Sequence, residues 1–110
     1  MDYEISRRTP RYYFVVDVEL TDLQSGIHIK AKTKMLGLFG CGVDTASPFA
    51  KGTRVRLELS RRGVEVKTTA LVVYASPELG MGIAFTDIDR KNERILERWI
   101  EELLSVPIRT

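Results

Sequence analysis

Three arginines near the start of the chain are the residues best suited to bind a charged ligand. Arg7 and Arg11 have the spacing R-x-x-x-R, and Arg8 stands beside the first. Guanidinium groups bind phosphates and carboxylates through paired hydrogen bonds, and they also stack on flat rings. Pro10 disfavours helix at the preceding residue, so the segment is predicted to be extended or turn-like. Taken alone, these residues favour a solvated basic tail over a dedicated anion-binding arm.

Catalytic chemistry has few candidate residues in this sequence. Cys41 is the only cysteine and His28 the only histidine, and neither has an acid, base or nucleophile beside it. No pair of carboxylates and no metal-ligand spacing stands out. We therefore expect a buried thiol, a surface imidazole, and a protein that is not an enzyme and carries no cofactor or metal. A single cysteine also excludes an intramolecular disulfide and fits a reducing compartment.

Length and composition favour one soluble domain that binds a partner or ligand. The chain has 110 residues, of which 44% are apolar and 29% are charged, as in ordinary globular domains. Its net charge of +2 is too small to indicate bulk binding to nucleic acid or to a membrane surface. No apolar leader and no membrane-spanning run is present in the sequence, so a cytoplasmic location is expected.

Alternation of apolar and polar residues predicts a series of short strands. Turn-forming residues separate these runs, and Arg61-Arg62-Gly63 predicts a tight hairpin. Three glycines in the apolar run 35–43 predict a bulge or a sharp bend between strands. The predicted strands cover residues 12–20, 27–34, 55–59, 64–75 and 81–85.

The second predicted strand carries a row of lysines on one face. Lys30, Lys32 and Lys34 alternate with smaller or apolar residues, and His28 continues the row. Lysines on a strand face usually remain solvated and discourage edge-to-edge pairing, and this is the favoured interpretation. The alternative is a small barrel that binds single-stranded nucleic acid through this row and an exposed Tyr13. The low net charge argues against that alternative.

The last part of the chain changes to a helical period. Apolar residues recur at helical spacing from Asp89 onward, with glutamates and arginines between them. Asp87 or Asp89 can cap the start of the helix, and Pro107 stops it. Several short strands followed by one amphipathic helix predict a small antiparallel barrel or sandwich that the helix covers.

These features together resemble a PilZ domain, the bacterial receptor module for the second messenger cyclic diguanylate. The family's first signature, R-x-x-x-R before the barrel, matches Arg7 and Arg11, and its closing strand of the type G-x-G-[apolar]-x-F matches residues 80–85. The resemblance implies a mainly β fold, a small antiparallel six-stranded β-barrel with a C-terminal α-helix. It also implies that residues 1–10 form a flexible arm and that residues 11–110 form the barrel and helix.

The family's second signature, [D/N]-x-S-x-x-G, falls on residues 35–40 and is only partly present. Met35 stands where an aspartate or asparagine is expected, Gly37 stands where serine is expected, and only Gly40 matches. Methionine offers no strong acceptor and glycine has no side chain, so two polar ligand contacts of the family are missing here.

The resemblance implies a binding site made of the arm and the second signature. Its residues are Arg7, Arg8, Arg11, Met35, Gly37 and Gly40, with the arginines clamping the phosphates and guanines of cyclic diguanylate. Ligand would order the arm and signal to an unidentified bacterial protein partner. The alternative implied by the altered signature is a PilZ-like adaptor that binds proteins without the nucleotide. We expect no nucleic-acid partner and no membrane insertion, and the sequence leaves a homodimer open.

Overall fold

The computed structural model describes residues 11–105, which form strands followed by one helix. Apolar and polar residues alternate along most of the strands, as the sequence predicted, and the predicted helix is present. The elements are β1 (Tyr12–Tyr13), β2 (Asp17–Asp22), β3 (His28–Leu36), β4 (Gly40–Asp44), β5 (Arg54–Arg61), β6 (Val64–Ser76), β7 (Gly80–Phe85) and α1 (Arg90–Leu104).

Six of these strands close into an antiparallel barrel. The strands neighbour one another in the order β1-β3-β2-β5-β6-β7-β4, and an additional pairing of β3 with β4 joins the two sides. The short β1 pairs with β3 alone, at the end of β3 that lies beyond β2. The six-stranded barrel implied by the family resemblance is therefore confirmed, and the sandwich alternative is wrong.

The barrel interior is an apolar core supplied by alternate residues of the strands and by one face of the helix. These side chains lose nearly all contact with solvent, and each buried aliphatic side chain contributes roughly 1.5–3 kcal/mol to folding. The fully enclosed members are Val18, Leu20, Leu36, Cys41, Val43, Val55, Leu57, Leu59, Val66, Met81, Ile83 and Leu96.

The first predicted strand is interrupted, because residues 14–16 leave the regular ladder between β1 and β2. At this break, the buried Thr33 hydroxyl replaces hydrogen bonds of the backbone ladder. It accepts a hydrogen bond from the Val16 amide at 2.9 Å and donates one to the Phe14 carbonyl at 2.6 Å. Buried backbone groups need such partners. The chain that leads in from Arg11 is therefore held by a side chain of β3.

The helix α1 begins after Asp89, which is one of the two caps that the sequence offered. The Asp89 carboxylate accepts a hydrogen bond from the Asn92 amide at 2.8 Å, and this bond holds the pKa of Asp89 below its usual value. Trp99 and Leu96 are buried against the barrel, whereas Leu104 at the last turn is exposed. Within residues 11–105, no helix has both the length and the hydropathy to cross a bilayer.

Candidate functional site: the Arg11 end of the barrel

The structure places one residue of the arginine signature, because Arg7 and Arg8 lie outside the described residues. Arg11 is half-buried and stands directly before β1. In β1, Tyr12 pairs with Leu36 and Tyr13 pairs with Met35. Arg11 therefore lies near the bend that carries Gly37, so the structure brings this one residue of the first signature close to the second signature.

Cys41 lies close to this entry point but has no nucleophilic role. It pairs with Leu36 across β3 and β4, and it is completely buried. Burial raises the pKa of the thiol to about 12, and the nearby charge of Arg11 lowers it by a smaller amount. The thiol is therefore protonated at neutral pH, and the expected buried structural cysteine is confirmed.

The second signature forms the hairpin between β3 and β4. The Gly37 amide donates a hydrogen bond to the Gly40 carbonyl at 2.9 Å, and both glycines are buried. A Cβ atom at Gly40 would overlap the carbonyl oxygen of Ile83 on β7, so only glycine fits where these strands meet. The matched glycine of the signature thus has a structural role, and its predicted contact with ligand stays a prediction.

Met35 belongs to a row of residues that crosses the outside of the barrel, which we call the outer row. Successive cross-strand pairs join Tyr13 to Met35, Met35 to Gly42, Gly42 to Gly82, and Gly82 to Tyr74. Directly paired residues point to the same face of a sheet, so these five share the outer surface. The outer row contains no charged side chain, although the family signature would place an aspartate or asparagine at Met35.

Tyr74 is the functional candidate that the sequence analysis missed. Its ring covers Gly82, because a Cβ atom at that glycine would overlap the ring, and its hydroxyl reaches toward Gly42. An irregularity in the β6–β7 register between Val72 and Tyr74 turns the tyrosine to the outer face. The only signal in the sequence was the pair of glycines in residues 80–82, which leave space for a ring on the neighbouring strand.

Two of the three lysines in the β3 row, together with His28, contact neighbouring residues. Lys32 forms an ion pair with Asp17 on β2, and the Lys34 ammonium donates to the carbonyl of Leu79 at 3.1 Å. His28 contacts Glu19 through Nε2 at 2.9 Å and sits on the surface. This arrangement supports a solvated, cross-linked strand face. Among residues 11–105, no cluster of His, Cys, Asp or Glu could hold a metal ion.

The comparison with protein families decides the identity of the fold. The family model described as PilZ domain matches residues 5–102, which is most of the chain. The chain belongs to the PilZ domain family. Members of this family are regulatory or binding modules. In this PilZ domain, Arg11 of the first signature lies near the second signature, which has methionine and glycine at its two polar positions.

Solved structures with the same fold include three proteins of low sequence identity. The PilZ domain of CeSA from a cellulose-synthesizing bacterium is 19% identical with a TM-score of 0.71, over 87% of this chain and 99% of that one. The PilZ domain of YcgR from Escherichia coli, with c-di-GMP, is 20% identical with a TM-score of 0.71, over 89% and 91%. The Bacillus subtilis inhibitor of motility MotI/DgrA is 18% identical with a TM-score of 0.71, over 93% and 53%. No curated protein matches the chain significantly.

Proposed function

We propose that this PilZ domain is a receptor for cyclic diguanylate, in which Arg7 and Arg11 bind the phosphates and guanines and Arg8 assists. The observation that carries the proposal is the position of Arg11, half-buried beside the Gly37 bend. An arm that enters the barrel there can fold back over the second signature. The solved YcgR PilZ domain, which contains c-di-GMP, has the same fold.

The altered second signature and the outer row together determine how strong this binding can be. Met35 and Gly37 remove two polar contacts, each worth roughly 1–3 kcal/mol, so the affinity should be weaker than with an intact signature. The arginines supply charge-assisted hydrogen bonds of roughly 1.5–3 kcal/mol each. The ring of Tyr74 and the side chain of Met35 offer a flat apolar surface on which a guanine can lie. Arginine contacts and ring stacking therefore replace the missing polar groups.

A contact near the arm gives a route from the ligand to the helix. Phe14, three residues after Arg11, lies under the Arg61 guanidinium, whose central carbon is 5.3 Å from the ring centroid. Arg61 Nη1 also donates a hydrogen bond to Glu102 Oε1 of α1 at 2.7 Å. When ligand orders the arm, a shift of Phe14 changes the position of Arg61 and so the surface around α1 that a partner protein contacts.

Calorimetric titration with cyclic diguanylate tests this proposal. We expect micromolar binding by the unmodified protein and a loss on the order of a hundredfold in the Arg7→Ala/Arg11→Ala variant. Arg56→Ala removes an exposed arginine of β5 and is the matched control, which should bind normally. No heat at millimolar ligand, or equal binding by the double variant, would show that the arm is not a cyclic diguanylate site.

A second candidate function is a PilZ adaptor that binds a protein without the nucleotide. The observation in its favour is the apolar character of the outer row, where Tyr13 is 84% exposed beside Met35. Affinity capture of partner proteins with and without cyclic diguanylate separates the two functions. Recovery of one specific partner regardless of nucleotide supports the adaptor, and recovery that requires nucleotide supports the receptor.

A further inference from the structure

A groove between the β5–β6 hairpin and α1 is a second place where the barrel can bind a charged group. We call it the hairpin–helix groove, and its volume is about 240 Å³. Arg61 and Arg62 approach it from the hairpin, and Arg98 approaches it from the helix. The volume falls below the roughly 300–1,000 Å³ of typical small-molecule pockets, so the groove suits a few side chains better than a whole nucleotide.

The charges around the groove are unbalanced. Glu102 also lines it, but its carboxylate is used by Arg61 at 2.7 Å. Arg62 and Arg98 are exposed, and neither forms a salt bridge with another residue in the range 11–105. Two arginine side chains from two different elements are thus available to bind an anionic partner at the same groove.

The backbone at Arg62 is unusual for an arginine. Its φ is +53° in the two-residue turn with Gly63, whose φ is +81°. Such turns favour asparagine, aspartate and glycine, because other side chains are strained at positive φ. A long cationic side chain at a position that disfavours it points to a role for its charge rather than for the turn.

The remaining wall of the groove is apolar. Val64 is 43% exposed, Ile95 is half-buried, and Trp99 closes the groove from below. A ligand that fits both walls needs negative charge and aliphatic surface together. An inorganic phosphate would use only the charged wall, whereas an acidic peptide with aliphatic side chains would use both.

We propose that the hairpin–helix groove binds an acidic peptide segment of a partner protein. Carboxylates of the peptide pair with Arg62 and Arg98, and an aliphatic side chain packs on Val64 and Ile95. The inference rests on the proposed role of the domain in signalling to a protein partner and names the chemistry of that partner. It does not require nucleotide at the arm, so the two proposals can fail separately.

Binding of a fluorescein-labelled peptide of alternating aspartate and leucine tests the groove. The anisotropy titration is compared with peptides in which serine replaces leucine or lysine replaces aspartate. We expect the aspartate–leucine peptide to bind most tightly, to weaken with salt, and to alter the emission of Trp99, the only tryptophan. Equal binding of the serine peptide, or displacement by inorganic phosphate with no benefit from leucine, would show a simple anion site and overturn the proposal.

The matched variants keep the fold intact while they remove the charge. Arg62→Asn introduces a residue that tolerates positive φ, and Arg98→Ala changes an exposed helix position. We expect the double variant to lose at least about tenfold in peptide affinity and to bind cyclic diguanylate as before, with Arg56→Ala unchanged in both. Unchanged peptide binding by the double variant would overturn the proposal that the groove binds the peptide. Absence of nucleotide binding by the unmodified protein would instead overturn the proposal that the domain is a cyclic diguanylate receptor.

Discussion

The outer row and the hairpin–helix groove both contact the segment of chain at residues 13–14. The outer row has no charged side chain, whereas the groove is lined by arginines. The outer row has an apolar residue at Met35, where the family signature has a polar one, and the proposed function assigns its cations to Arg7 and Arg11. The groove holds Arg62 on the β5–β6 hairpin and Arg98 on α1. Phe14 directly follows Tyr13 of the outer row in the sequence, and its ring contacts Arg61 of the groove. The outer row thus includes a position of the family signature without its polar side chain, whereas the groove carries two exposed arginines outside both signatures.

The largest expected effect is on stability, and it tests whether Gly40 of the second signature is needed for the fold. Gly40→Ala places a methyl group against the Ile83 carbonyl, which is rigid backbone of β7. We expect the free energy of unfolding to fall by about 3 kcal/mol or more, as for other severe overpacking. Urea denaturation measures the change. Gly26→Ala is a useful control for a glycine with open space around it, although its φ of +79° adds some strain. A loss at Gly40 no larger than at Gly26 would contradict the close contact.

An aspartate at position 35 tests whether the outer row faces the nucleotide. Met35→Asp returns the acid of the family signature to the outer row, and we expect cyclic diguanylate to bind about tenfold more tightly. Leu79→Asp adds the same charge at an exposed turn residue and should have little effect. Calorimetry compares the two variants. No gain from Met35→Asp would mean that the outer row does not face the ligand.

Tyr74 tests whether a ring can compensate for the lost polar groups. Tyr74→Ala removes the ring over Gly82, and we expect the affinity for cyclic diguanylate to fall by about fivefold, near 1 kcal/mol. Tyr74→Phe keeps the ring and should bind within about twofold of the unmodified protein. If the phenylalanine variant loses as much as the alanine variant, the hydroxyl rather than stacking is responsible.

The smallest effect concerns the hairpin of the groove. Arg62→Asn relieves the positive φ, and we expect the free energy of unfolding to rise by about 0.5 kcal/mol. Thermal denaturation by circular dichroism measures it, with Arg98→Ala as a variant that should not be stabilised. A lower stability for Arg62→Asn would show that Arg62 stabilises the hairpin. It would contradict the inference that arginine is unfavourable for stability at this position.

Local pattern predicted much of the fold, because alternation, turn residues and helical spacing are local properties. It missed the break at residues 14–16, where the Thr33 hydroxyl replaces ladder bonds from a distant position in the sequence. It also left barrel and sandwich open, since closure depends on the pairing of β3 with β4. The family resemblance rather than the pattern supplied the six-stranded barrel.

The residues of the candidate site that belong to a motif of fixed spacing could be predicted from the sequence. Residues whose position depends on the pairing register of the strands could not. The arginine spacing and the altered residues Met35 and Gly37 were visible in the sequence. Tyr74 reaches the outer face only because the β6–β7 register shifts beside it. The groove needs residues from the hairpin and from α1, about thirty positions apart, so no local pattern contains it.

A crossed titration tests most directly the claim that the domain has two separate sites. Cyclic diguanylate and the aspartate–leucine peptide are each titrated into the unmodified protein, Arg7→Ala/Arg11→Ala and Arg62→Asn/Arg98→Ala. We predict that the first pair of substitutions weakens only the nucleotide, on the order of a hundredfold, and that the second weakens only the peptide, at least about tenfold. Loss of both ligands in either double variant, with the fold intact by circular dichroism, would contradict two separate sites.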